Sequence, residues 1–215
     1  MIPYVDLHTH QFYGDLPSIL SIRNCIISKD YFQQQICSVG IHPWYVDQDF
    51  DQQMDTLKVF AAKNNALAIG ECGLDKVCST PWESQMTAFK SQLQLAQELN
   101  KPLILHTVRA FQETLTLLTS QQPRVPIIFH GFNKHQQLAN DLVQKGYYVS
   151  LGTDILKGRL DAIIKDLPLA HIFLETDDKN TSIKEIYTYF CGVRKIGVEQ
   201  LKQQLYSNFC TTFNY

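Results

Sequence analysis

No apolar run in this chain approaches the roughly 20 residues that a membrane-crossing helix needs. The opening MIPYVDLHTH has neither the cationic start nor the apolar stretch of an export signal, so neither insertion nor secretion is expected. An excess of one charge is also missing: 19 Lys and Arg stand against 21 Asp and Glu, for a net charge of -2. That balance argues against a protein that holds duplex nucleic acid through a broad basic face. It leaves a phosphate substrate open, because bound cations would supply positive charge locally. Paired cysteines are absent too. The six present (Cys25, Cys37, Cys72, Cys78, Cys191 and Cys210) are scattered, with no CxxC spacing, and read as reduced thiols in a cytoplasmic protein. Repeats, low-complexity tracts and linkers do not occur. With 45% hydrophobic and 19% charged residues, the composition is that of an ordinary globular chain, and residues 1–215 are expected to form a single domain.

What is present is an alternation. Short, mostly continuous apolar runs predict strands at Tyr4–Leu7, Cys25–Ser28, Ile36–Gly40, Leu67–Gly70, Leu103–Leu105, Ile127–Phe129, Tyr147–Ser150 and Ile172–Glu175. Between them lie helical patterns. Trp82–Leu99 places Met86, Phe89, Leu93, Leu95, Ala96 and Leu99 along one stripe, with Thr80-Pro81 as a capped start. Lys134–Lys145 ends at Gly146, and Thr181–Val193 and Val198–Phe213 close the chain. Eight strands alternating with helices is the count of a compact (β/α)8 TIM barrel; an open doubly wound sheet is the alternative.

Chemistry-bearing residues gather where these strands end. His8 and His10 are two apart in an extended segment and so face one way, and imidazole suits zinc, manganese or iron. Glu71 follows an apolar run and is flanked by Gly70 and Gly73, a costly place for a carboxylate without a cation. His106 and His130 each end an apolar run, and Leu174-Glu175-Thr176-Asp177-Asp178 runs a strand into acids. Asp177 is expected at the rim with the histidines, while Glu175 and Asp178 compete for that role, with orienting a neighbour as the alternative role for Glu175. Strand ends in a barrel converge on one rim. Four histidines and two carboxylates meeting there suit two divalent ions about 3.5–4 Å apart that activate a bridging water.

VDLHTH (5–10), GIHPW (40–44), AIGECGLD (68–75), KPLILH (101–106), FHGF (129–132) and LETD (174–177), with Asn208 and Phe213, resemble the TatD family of metal-dependent deoxyribonucleases, over nearly the whole chain. The resemblance implies an amidohydrolase-like barrel with two divalent metal ions (Mg, Mn or Zn). His8, His10, Glu71 and Asp177 would hold one ion; Glu71, His106 and His130 would hold the other. It makes Asp177 and Glu71 the catalytic carboxylates, with Asp177 orienting or deprotonating the attacking water. It places His42 near the pocket as a substrate or supporting contact rather than a ligand.

The chain departs from the family pattern at the positions that would read a substrate. Trp44 replaces a histidine in GxHPH. HTVRA stands where HSRDA is usual, so the arginine is displaced to Arg109. FHGF replaces HCFSG, and Lys76 follows GLD in place of an aromatic pair. The leading expectation is a phosphodiester hydrolase acting 3'-5' on single-stranded DNA or frayed ends. Arg109 or Lys76 would neutralise a phosphate oxygen, and Phe12, Trp44 or Phe132 would stack bases. Hydrolysis of amide, lactone or other small ester bonds is the alternative on the same metals, and a metal-binding scaffold is a third.

Overall fold

A computed structural model of the protein describes residues 2–11, 17–30 and 34–215. Among the described residues eight strands occur: β1 (Tyr4–Thr9), β2 (Ile19–Ile26), β3 (Cys37–Gly40), β4 (Ala66–Asp75), β5 (Leu103–Val108), β6 (Ile127–Phe129), β7 (Tyr148–Leu151) and β8 (Ile172–Leu174). The helices are α1 (Phe50–Ala61), α2 (Trp82–Glu98), α3 (Phe111–Gln121), α4 (Gln136–Gln144), α5 (Asp161–Asp166), α6 (Ile183–Arg194) and α7 (Val198–Phe213). The strands follow one another in sequence order, β1 through β8, in a parallel sheet. That is the strand order of a (β/α)8 fold; a doubly wound sheet reverses its order partway and is thereby excluded. β3, β6 and β8 are buried at every residue, as parallel strands covered on both faces must be.

The chain divides into two compact units, residues 1–23 with 128–215, and residues 24–127. In the first, β7 and β8 pair in register from Val149↔Ile172 to Leu151↔Leu174. The ring of Tyr187 on α6 is fully buried; its hydroxyl accepts from the Val5 N–H at 3.0 Å and donates to the Val5 carbonyl at 3.2 Å, which satisfies the β1 backbone at Val5. Asn208 on α7 donates to the carbonyls of Leu169 (2.8 Å) and Ile172 (2.9 Å) and so holds the start of β8.

In the second unit β4 is the central strand, pairing with β3 on one side and β5 on the other. Its pairing with β5 shifts register between Gly70 and Cys72. Two glycines make this close approach possible. A Cβ on Gly70 would stand 2.5 Å from the Ile104 carbonyl oxygen, and one on Gly73 would stand 2.1 Å from that of His106. Leu57 of α1 and Phe89, Leu93 and Ala96 of α2 are buried in this unit with Ile69, Ile104 and Leu105.

Three expectations need correction. β2 starts at Ile19 rather than Cys25. Its first three residues are only half-buried, and Ser21, Arg23 and Asn24 interrupt the apolar residues, so the strand shows no continuous apolar run. Ser28, placed in that strand by the sequence, has φ 72 and lies outside it. α2 begins after Pro81 without a side-chain cap from Thr80.

Candidate functional site

In the first unit, β1 carries His8, and His10 follows directly after its end. The segment after β8 runs beside it: the His10 N–H donates to the Asp177 carbonyl (3.1 Å) and the Asp177 N–H to the His8 carbonyl (2.9 Å). This register brings Oδ1 of Asp177 to 3.5 Å from Nε2 of His8 and to 3.5 Å from Nε2 of His10. His8 is fully buried, whereas His10 and Asp177 are each about a third exposed, so the cluster opens to solvent on one side. Asp177 has φ 54, a left-handed conformation that costs a non-glycine residue about 1 kcal/mol or more. Asp6 helps hold it. This buried carboxylate accepts from the Thr176 N–H (3.0 Å) and the Thr176 hydroxyl (2.8 Å), fixing the residue next to Asp177. His130 lies in the same unit, its ring 4.4 Å from that of His8 and its Nδ1 3.4 Å from Oε1 of Glu175. Glu175 is fully buried and also accepts from the Gly131 N–H at 2.6 Å, so it sits behind His130 as a support. Asp178 is exposed and pairs with Lys179 at 2.6 Å, away from any ligand role.

In the second unit, Glu71 lies inside β4, not after it, and is nearly buried. Asn24 grips it twice: the Asn24 amide donates to Oε2 (2.9 Å), and its carbonyl oxygen accepts from the Glu71 N–H (3.1 Å). Oε1 of Glu71 faces Nδ1 of His106 at 2.7 Å and Nε2 of His42 at 3.4 Å. The two imidazoles differ in what their second nitrogen does. Nδ1 of His42 accepts from the Trp44 N–H at 3.1 Å, which leaves the proton on Nε2, pointing at Glu71. His42 therefore donates to the carboxylate, as a supporting contact. His106 instead has Nε2 3.0 Å from Oδ2 of Asp75, so it stands between two carboxylates. A neutral imidazole has one N–H for these two carboxylates, so on one side or the other two acceptors converge, an arrangement that a metal cation satisfies.

Asp75 was quoted in a motif but given no role by the sequence. It is almost fully buried and accepts from Trp44 Nε1 (2.6 Å), His106 Nε2 (3.0 Å) and the Val77 N–H (2.7 Å). Burial alone would raise its carboxyl, but these donors together outweigh burial and hold it below the usual carboxylate range. The available signal was strand alternation: Glu71 and Asp75 are four residues apart on a strand, the spacing of one face. Two buried glutamines on α2 fix the backbone around it. Gln85 accepts from the Asp75 N–H (2.8 Å) and donates to the Asp75 carbonyl (3.1 Å); Gln92, two turns on, does the same for Ile41 at 2.8 and 3.0 Å.

The donor sets fit divalent metal. In the first unit three ligand atoms, from His8, His10 and Asp177, lie within 4.8 Å of one another; in the second Glu71 and His106 offer theirs 2.7 Å apart, with His42 Nε2 close by as a donor to Glu71 rather than a ligand. Mixed imidazole and carboxylate donors suit zinc, manganese and related ions. The substrate-contact expectations fare unevenly. Arg109 is exposed at φ 52 before α3. Lys76 is engaged by Glu113 in an ion pair. Phe132 is fully buried and so cannot stack on a base, Trp44 is more than half exposed, and Phe12 lies outside the described residues.

The family described as TatD related DNase matches residues 18–214. A protein of Escherichia coli K12 named as the uncharacterized metal-dependent hydrolase YcfH is 26% identical, over 93% of this chain and 80% of that one. Human deoxyribonuclease TATDN3 is 33% identical over 70% of this chain and 60% of its own. Among solved structures, YJJV, a TatD homolog from Escherichia coli, matches with a TM-score of 0.85 at 23% identity, all of both chains being covered. A TatD family hydrolase from Entamoeba histolytica matches with a TM-score of 0.79 at 16% identity, over 98% of each chain.

Proposed function

The chain belongs to the TatD related DNase family of metal-dependent hydrolases, and from that premise we propose that it cleaves phosphodiester bonds of DNA, working 3'-5' from single-stranded or frayed ends. The reading takes residues 1–215 as one catalytic domain. Its metal-holding residues are His8, His10, His130 and Asp177 of the first unit and Glu71 and His106 of the second. The observation that carries it is the placement of one Asp177 oxygen 3.5 Å from both His8 and His10, beside a solvent opening.

Two divalent ions there would supply Lewis-acid charge against the phosphoryl oxygens and acidify water. The protein's own groups do the rest. Asp177, partly exposed, orients the attacking water and takes its proton on the carboxylate oxygen that does not face the histidines. Asn24 and the His42 N–H hold Glu71 as a fixed carboxylate. Glu175 and Asp75 set the rings of His130 and His106. Arg109 faces solvent and is the side chain available to a phosphate oxygen, since Lys76 is engaged by Glu113.

All six cysteines are free, which supports a reducing, cytoplasmic setting. Among the described residues no helix is long and apolar enough to cross a membrane.

The test is a substrate panel at fixed Mn²⁺ or Mg²⁺: 3'-labelled and 5'-labelled single-stranded DNA, blunt duplex, RNA, and small amides, lactones and esters. Release of mononucleotides from the 3' end of single-stranded DNA, abolished by EDTA, is the expected result. Turnover of acyl substrates alone would replace the nuclease reading with an acyl-hydrolase one.

A further inference from the structure

We propose that Trp44 is a platform for a planar group of the substrate, a nucleobase, and that Asp75 holds its ring in place beside the His42–Glu71–His106 cluster. The inference rests on the nuclease reading but concerns a different contact. It starts from an anomaly. Trp44 is a large apolar side chain left 54% exposed, although the side chains it touches, His42 and Asp75, are buried. The other exposed large hydrophobics have plainer settings: Val59 is on α1, Val77 follows the end of β4, and Tyr215 ends the chain.

The ring is nonetheless not loose. Its Nε1–H donates to Oδ2 of Asp75 at 2.6 Å, a charge-assisted bond to a buried carboxylate. The His42 ring meets it edge-on at 5.1 Å, and that of His106 at 6.1 Å. Backbone and side chain agree: Pro43 precedes Trp44 in a 3-10 turn, and the Trp44 N–H is itself bonded to His42. An indole fixed at its polar edge and open over much of its surface suits stacking, because the ordering cost falls on the free protein rather than on binding. Every base has a π-face, so such a platform accepts bases without selecting among them.

The same Oδ2 of Asp75 receives both Trp44 Nε1 and His106 Nε2, while Oδ1 receives the Val77 N–H. Asp75 thus sets the platform and the imidazole from one carboxylate. An asparagine cannot replace it. Its amide nitrogen would have to face donors, either at Val77 or at Trp44 and His106. The second tryptophan differs: Trp82 has the Lys76 ammonium 5.6 Å over its ring. The two tryptophans therefore serve as signal and control.

The experiment uses two single-tryptophan proteins, Trp82→Phe and Trp44→Phe, with fluorescence excited at the red edge of tryptophan absorption. The probes are deoxyadenosine and 2-deoxyribose 5-phosphate, neither of which is a phosphodiester. Deoxyadenosine should quench the Trp82→Phe protein along a saturable curve and leave Trp44→Phe unchanged, and the sugar phosphate should quench neither. Adding Asp75→Asn to Trp82→Phe should weaken the apparent affinity about tenfold, the scale of one base stack. Unsaturable quenching, equal quenching by the sugar phosphate, or an effect seen equally in Trp44→Phe would overturn the platform. An affinity unmoved by Asp75→Asn would overturn its anchoring. Because neither probe is cleaved, nucleoside quenching that persists alongside failure to hydrolyse DNA would count against the nuclease reading and leave the platform standing.

Discussion

Asp177 adopts a backbone conformation that few side chains tolerate, and does so where its carboxylate meets two imidazoles. Strain of that kind persists only where the surroundings enforce it, and here Asp6 bonds Thr176 twice from below. Asp177→Asn keeps the shape and removes the charge. It should lower kcat/KM on single-stranded DNA by about 10²–10⁴, the usual worth of a positioned acid–base group. Circular dichroism should show the fold retained, and turnover equal to the parent would remove Asp177 from the chemistry. Cys72 sits beside Glu71, and burial first, then the neighbouring carboxylate, push its thiol well above the ordinary range. A raised thiol pKa favours the neutral form, so Cys72 stays protonated at pH values where an exposed thiol ionises. Alkylation at pH 8–9 followed by peptide mapping should therefore leave Cys72 unmodified in native protein and modify it in guanidinium; native-state labelling as fast as that of partly exposed Cys78 would contradict its placement.

α2 shows how an element aims a site from behind. Gln85 and Gln92, seven residues apart, project from one side of the helix onto the backbone of Asp75 and Ile41. Ile41 precedes His42, so the helix sets both ends of the second cluster. Gln92→Leu keeps the volume but strands a buried N–H and a buried carbonyl, each costing about 1–3 kcal/mol. Urea denaturation should show a loss of about 2–4 kcal/mol without a change in slope; a loss under about 0.5 kcal/mol, the range of surface changes, would deny the clamp. These glutamines also mark where the sequence was hard to read. An apolar stripe is the signal for a buried helix face, and a polar residue within it reads as solvent-facing until its partner is known. β2 was misplaced for a related reason, since polar Ser21, Arg23 and Asn24 break up its apolar residues. The strands that were found, such as β6 and β8, are those buried on both faces, where apolar runs are continuous.

At the scale of the whole molecule, the repeating strand–helix rhythm was enough to anticipate the (β/α)8 order, because parallel pairs need crossovers and helices supply them from β3 onward. The acids and histidines at strand ends stood out because charge and imidazole are expensive there without a purpose. His8, His10 and Asp177 come together in one unit, and Glu71 and His106 in the other. Asp75 did not stand out: its partners, Trp44 and His106, are 31 positions away on either side, and only the folded chain brings them to one oxygen. Metal content tests the central claim most directly. Purified protein, stripped with chelator, reloaded with Mn²⁺ or Zn²⁺ and desalted, should retain close to two ions per chain by mass spectrometry. Asp177→Asn should retain about one under the same treatment, since one cluster is left intact. A parent protein that binds no divalent ion, or a variant that binds as many as the parent, would contradict the account.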